Sequence, residues 1–309
     1  MSESRALLID VIRIVACALI ILGHIANLSR LGGLRIGFDS ETNYIHAGNI
    51  GVSLFFILSG MSLQYRYPNG VSNLRVFYFR RIIRIYPILL LSLVMAPFIV
   101  GFDKIPTNVP FLALTLTGTC AFVGAWGCGL VETSWFVGVI MSFYLVYPYL
   151  ASWLTPRPLL GLSIIFCISA VTWLMFLEVT AISHRFPDFL FWFPLSRVFE
   201  FALGIVLGMK KETFQRWEPL YLPIAKRSIT YLSNMTFPAF LIHYPLLVLI
   251  VPFSKFGGKL FAVVMYLTVT VLLSHALWWP IKPFKRESNI GDQDVVKTGT
   301  ANHNAPYCT

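Results

Sequence analysis

What this chain has little of narrows it first. Of 309 residues only 12% are charged and only 14 are Asp or Glu. No polar stretch is long enough to form the surface of a soluble domain, apart from the tail at 283–309. A soluble catalytic domain is therefore excluded, and any chemistry must take place inside or at the edge of an apolar bundle. Cysteine is also sparse. Cys17, Cys120, Cys128, Cys167 and Cys308 fall mostly within apolar segments and lack ligand spacing, so the sequence supports neither a disulfide framework nor a zinc site. They are expected to be packing residues. The opening MSESRA is too short and polar to head a cleaved signal peptide, and no small-residue cleavage site closes the first apolar run. That run is expected to remain as a helix. A sequence repeat of the inverted-topology kind is likewise missing.

What is plentiful is hydrocarbon. The chain is 57% hydrophobic with a mean hydropathy of +0.72, beyond the range of soluble globular domains of this length, which predicts an all-α integral membrane protein. The net charge of +10 is no nucleic-acid signal here, because the basic residues cluster in short loops beside apolar spans. That is the positive-inside pattern, and the lipid bilayer is the partner it implies. Apolar segments fall at about 7–28, 48–65, 85–101, 109–126, 134–154, 159–177, 189–209, 229–252 and 260–280, each near the length that crosses about 30 Å of hydrocarbon. The architecture expected is a polytopic bundle of about 8–10 transmembrane segments over residues 1–282, followed by a polar, disordered tail at 283–309.

Charge then tests the count. Arg66, Arg75, Arg80, Arg81 and Arg84 fall within nineteen residues, which assigns that loop, and with it the N-terminus, to the cytoplasm. Nine simple crossings would send Lys210, Lys211, Arg216, Lys226 and Arg227 outside, together with Lys282, Lys285 and Arg286. One segment is therefore expected to be re-entrant. The candidate is 109–126, whose Thr115, Thr117, Gly118, Thr119 and Gly124 make it the least lipid-like. The membrane this topology fits is the cell membrane, plasma or inner.

The first span carries Asp10, Arg13 and His24. Ionisable groups cost several kcal/mol each in hydrocarbon, so they face protein or water and serve a site by default. Arg13 and His24 are eleven residues apart, about three turns, which puts them on one face separated by roughly 16 Å. Asp10 joins that face at i, i+3 from Arg13. The bland alternative is a salt-bridged anchor at one end and a carbonyl-capped histidine at the other. In the second segment Gly48, Gly51 and Gly60 allow either close helix approach or a broken helix.

Four stretches together resemble the membrane acyltransferase 3 family, integral-membrane enzymes that O-acylate surface polysaccharides and other exported molecules. Asp10-Val11-Ile12-Arg13 with His24 is similar to the family's Asp-x-x-Arg opening and its Arg, ten residues, His signature. Gly51-Val52-Ser53-Leu54-Phe55-Phe56-Ile57-Leu58-Ser59-Gly60 resembles Gly-Val-x-x-Phe-Phe-x-x-Ser-Gly. Arg80-Arg81-Ile82-Ile83-Arg84 with Pro87 resembles Arg-Arg-x-x-Arg-x-x-Pro. Weaker matches are Phe199-Glu200-Phe201 with Gly204, and Tyr231 to Pro238 with His243 and Pro245. There are departures. Ser53 stands where many members carry Asp or His, and Glu132 precedes Trp135 where members place a Glu after the Trp.

The resemblance implies transfer of an acyl group, acetyl foremost, from cytoplasmic acyl-CoA to a hydroxyl of a glycan or other surface-destined acceptor, with no permanently bound cofactor and no metal. His24 would act as acid and base, with Arg13 and Asp10 beside it in the catalytic set. Arg80, Arg81 and Arg84, at i, i+1 and i+4 along a helix start, would grip the donor's phosphates through bidentate contacts. Other readings stay open. The arginines alone are equally a topology determinant and headgroup anchor. Arg197 with Glu200 reads as a buried ion pair, and His46 and His243 are rival histidines. Trp278 and Trp279 read as an interfacial belt. A different class, a proton-coupled transporter or flippase, would also place Asp10, Arg13 and His24 on an intramembrane path.

Overall fold

The computed structural model describes residues 4–31, 44–105, 108–123, 130–183, 192–210 and 223–279, and the tail from 283 lies outside them, as does Lys211. Among the described residues the chain is helical apart from short turns, without strands. The described residues hold nine α-helices: α1 (Ser4–Leu31), α2 (Tyr44–Arg66), α3 (Leu74–Val100), α4 (Val109–Thr117), α5 (Trp135–Leu154), α6 (Pro158–Ser183), α7 (Pro194–Met209), α8 (Pro223–Leu246) and α9 (Ile250–Trp278). By length and composition six of them, α1, α3, α5, α6, α8 and α9, can each cross a membrane. The protein is an all-α polytopic membrane protein.

The remaining long helices, α2 and α7, form the middle of the bundle, and glycine lets them touch backbone to backbone. A Cβ at Gly60 would lie 2.2 Å from the Phe201 carbonyl oxygen, and one at Gly204 2.0 Å from that of Ile57. Nothing larger than hydrogen fits there. Small residues at such contacts are how membrane helices gain packing energy without a hydrophobic drive. The sequence left close approach and a broken helix as alternatives for the second segment. It is one continuous helix, so the glycines serve approach.

Side-chain pairs fix the direction of each helix. Asp10, Cys17 and His24 of α1 meet Ser233, Thr236 and His243 of α8 in the same order, so those two run parallel. Asn49, Ser53 and Gln64 of α2 meet Arg197, Glu200 and Gly208 of α7, again in order. Arg13 reaches Ser62 while Ile20 borders Gly51, so α1 and α2 are antiparallel. Helices α1, α3, α6 and α8 run one way and α2, α5, α7 and α9 the other. Lys210, just after α7, therefore shares an end of the bundle with Arg66, and α9 finishes at that end as well, with His275 beside Tyr231.

That arrangement needs the segment expected at 109–126, which is described to residue 123, not to cross, and α4 explains why it does not. Its nine residues rise only about 14 Å. Gly118 then stops the helix in a left-handed conformation (φ 69°), its N–H donating to the carbonyls of Leu114 and Thr115. The carbonyl of Thr117 accepts from the Tyr86 hydroxyl midway along α3, at 3.0 Å. The chain dips in and turns back.

Two expectations need correction. The loop expected around Arg66 and Arg75 is much shorter, while Arg80, Arg81 and Arg84 do lie near a helix start: α2 and α3 are joined by a tight turn at 67–73, and Asn73 caps α3 by accepting from the N–H of Val76 at 3.0 Å. Arg75, Arg80, Arg81 and Arg84 are thus helical, and α3 begins eleven residues before the apolar run expected at 85. Charge did not end the helix because the arginines face protein or the bundle end instead of lipid. The second correction concerns cysteine. Cys120 is disulfide-bonded, whereas Cys17 and Cys167 are free. The spacing of the cysteines along the chain gave no sign of that bond.

Candidate functional site

A cavity of ≈ 190 Å³ lies where α1, α2, α3, α5 and α8 converge in the half of the bundle that holds the start of α1. Four arginines line it: Arg13, Arg66, Arg81 and Arg84. No carboxylate is among the described residues that line it, and the uncharged polar groups come from Ser59, Ser62, Tyr144, Ser233, Asn234 and Thr236. Four like charges around one space repel each other, and an anion inside would relieve that repulsion.

Each arginine is held differently. Arg13 is paired with Asp10 at 3.5 Å, one turn back on α1, and its other terminal nitrogen donates to Ser62 Oγ at 3.1 Å. Asp10 is buried and accepts from Ser233 Oγ at 2.7 Å, so three helices fix the direction in which Arg13 points. Arg81 lies over the faces of Phe77 and Tyr144, 5.2 and 5.6 Å from the ring centroids. Flat aromatic faces steady a guanidinium without occupying its N–H groups. Its Nε is buried with no hydrogen-bond partner, a vacant donor in the wall of the space. Arg84 is exposed and borders the same cavity. Arg80 does not line it. The three arginines that the sequence grouped therefore divide, two at the cavity and one beside it, while Arg66, read only as a topology residue, joins the lining.

His24 is elsewhere. About 16 Å further along α1, its ring lies 5.1 Å from that of His243 and 5.1 Å from that of Tyr244, edge-on to the latter. His243 is wholly buried, and its Nδ1 is 2.7 Å from the Phe240 carbonyl oxygen. Between cavity and histidines stands a layer of rings. Phe55 and Phe136 line the cavity and both pack on Phe240, at 6.1 and 4.9 Å, while Phe240 lies 5.9 Å from His243.

Near the opposite face of α2 is a second ionic group. Arg197 pairs with Glu200 at 2.9 Å, and its terminal nitrogens donate to Ser53 Oγ and Asn49 Oδ1, each at 3.3 Å. Ser53 Oγ in turn donates to Glu200 Oε1 at 3.0 Å. Ser53, noted in the sequence as a departure from the family pattern, is thus a hydrogen-bonding member of that pair's network. The side chains of Glu132 and His46 lie outside the described residues.

A family model described as an acyltransferase domain matches residues 7–229, from α1 into the first turns of α8. Neither the curated proteins nor the solved structures gave a match.

Proposed function

This chain belongs to the acyltransferase 3 family of membrane acyltransferases, and we propose that it moves an acyl group, acetyl foremost, from acyl-CoA to a hydroxyl of a glycan or other surface-destined acceptor. The observation that carries the donor side of this reading is the cavity with four arginines and no lining carboxylate. Guanidinium groups match phosphate oxygens in pairs, and a polyphosphate is the anion that uses several of them at once. Coenzyme A has such a head and a long flexible arm ending in the thioester. With the head at Arg13, Arg66, Arg81 and Arg84, the arm would extend along α1 past the Phe55, Phe136 and Phe240 layer towards His24.

Acyl transfer then needs a base. The acceptor oxygen attacks the thioester carbonyl carbon, its proton passes to the His24 imidazole, the C–S bond breaks, and the departing thiolate takes the proton back. The acceptor would arrive from the side where α1 ends, the donor from the side where it starts. That places the arginine-rich end in the cytoplasm, in accordance with the positive-inside rule, which also covers Lys210 and the end of α9.

Turnover of acetyl-CoA by the purified protein, followed as thiol release with a methyl glycoside as acceptor, tests the reading. His24→Gln keeps a hydrogen-bonding group but cannot cycle a proton, and should lose on the order of 10² to 10⁴ in rate. Wild-type protein that never consumes the thioester would point to transport instead. A Gln variant as active as wild type, at matched folded protein, would remove His24 from the base role.

A further inference from the structure

His243 lies beyond residue 229, where the family match ends, and nothing in the reaction so far uses it. Its surroundings are nonetheless highly ordered. Pro245 lacks an N–H, so the Leu241 carbonyl loses its helical partner, and Thr133 Oγ1 of the segment entering α5 donates to it at 3.1 Å. Two residues on, α8 gives way to a short 3-10 turn at Leu247–Leu249, and there the carbonyl of His243 accepts from the Tyr266 hydroxyl of α9 at 3.0 Å. The helix is opened locally and re-satisfied by side chains from two neighbours. His243 is held in the middle of this opening.

The chemistry of the ring follows from its hydrogen bond to the Phe240 carbonyl. A carbonyl oxygen can only accept, so the nitrogen 2.7 Å from Phe240 O must carry the hydrogen, which makes Nδ1 the donor. In the neutral ring Nε2 is then an acceptor and nothing else. It is buried and has no partner, although a group of that kind costs roughly 1–3 kcal/mol to leave unpaired. The ring of His24 is the neighbouring polar group, 5.1 Å away and tilted by 49°. The other titratable groups around the pair are Tyr244, edge-on to His24, Tyr266, whose hydroxyl is committed to the His243 carbonyl, and Cys17, whose thiol donates to Thr236 O at 3.5 Å.

We infer that His243 is the positioning residue for His24: its Nε2 accepts the N–H of the His24 imidazole once donor and acceptor fill the site, leaving the other His24 nitrogen as the lone pair that takes the hydroxyl proton. The inference rests on His24 as base and deepens that assignment. The two rings are near but not bonded, and catalytic hydrogen bonds commonly tighten only in the substrate complex. No proton is transferred to His243. It chooses the tautomer of His24 and holds the imidazolium that forms, as a buried acceptor does behind the histidine of a hydrolase triad.

Two replacements separate this from a purely structural histidine, because they keep opposite halves of the ring. His243→Asn retains an amide N–H at the Nδ1 position for Phe240 O but has no atom at Nε2. His243→Gln reaches the Nε2 position with an acceptor oxygen and gives up the Phe240 bond. With acetyl-CoA and the methyl glycoside, His243→Asn should lower kcat by about 10- to 100-fold, the scale on which partners of an active group act, and leave KM for acetyl-CoA unchanged. His243→Gln should recover part of that kcat. The opposite ranking, with Asn active and Gln impaired at equal folded yield, or losses that fall on KM or thermal stability alone, overturns the inference. His24→Gln run in parallel tells the two failures apart. If it is inactive while His243→Asn is fully active, only the positioning role falls; if it is active, the base assignment falls and the positioning role with it.

Discussion

Two arginines in this bundle sit three residues from a carboxylate on the same helix, and they end up in different environments. Arg13 with Asp10 spans 3.5 Å, the arginine side chain keeps 24% of its exposure, and three further arginines share its cavity. Arg197 with Glu200 spans 2.9 Å at 5% exposure, with Ser53 and Asn49 on the remaining N–H groups. The first pair aims a guanidinium into open space. The second absorbs one into a closed network that fastens α7 to α2, the most intimate helix contact in the bundle. Both are i, i+3 pairs on one helix, with the acid before the arginine in α1 and after it in α7, and what distinguishes a receptive arginine from a structural one is the set of partners that other helices supply.

Removing each arginine should separate the two roles most sharply. Arg197→Met leaves the half-buried Glu200, whose side chain keeps 17% exposure, without its cation, a loss of about 3 kcal/mol at the low end for buried pairs, whereas Arg197→Met with Glu200→Leu should recover most of it because an apolar pair of similar volume needs no partner. Thermal unfolding in detergent reads this directly. If the single and double variants were equally unstable, the network would matter for its shape and not its charge.

The same contrast shows what could be read from the chain before its structure. The opening helix was legible because Asp10, Arg13 and His24 recur on one face, a property of local geometry. The shared end of Arg66 and Lys210 was legible as well, since loop charge reports topology, and it correctly required 109–126 to turn back. The partners were not. Ser62 lies 49 residues from Arg13, Ser233 lies 223 from Asp10, and Asn49 lies 148 from Arg197. Periodicity carries no information at such separations. Nor could it say which edge of the Arg80, Arg81, Arg84 stripe would border the cavity. The early start of α3 did have a signal, an Asn-capped turn before Leu74, but the apolar run beginning at 85 drew the boundary later, with only Arg80, Arg81 and Arg84 placed along the helix start.

That stripe yields the intermediate effect. Arg81→Lys and Arg84→Lys keep the charge that orients the chain but lose the planar fork and, at position 81, the stacking on Phe77 and Tyr144. Each should weaken acetyl-CoA binding by about tenfold, which corresponds to about 1.4 kcal/mol. Arg80→Lys, outside the cavity, should leave binding unchanged. Equal losses at all three positions would mean that the donor senses the net charge of the helix and not the lining of the cavity.

The smallest effect probes how Arg13 is aimed. Ser233→Ala removes the hydroxyl that donates to Asp10 Oδ1 at 2.7 Å and so loosens the carboxylate behind Arg13 without touching any arginine. One interhelical hydrogen bond in a membrane bundle is worth about 0.6 kcal/mol on average, so stability should fall only slightly. Donor affinity should fall by a similar small factor, because Asp10 can still pair with Arg13 and Ser62 still receives it. The comparison with Ser53→Ala is the informative part. Ser53 both donates to Glu200 and accepts from Arg197, so its loss should lower stability more than that of Ser233 and leave acetyl-CoA binding alone. If Ser53→Ala weakened the donor while Ser233→Ala did not, the closed network would be the one in contact with substrate, and the roles of the two arginines would have to be exchanged.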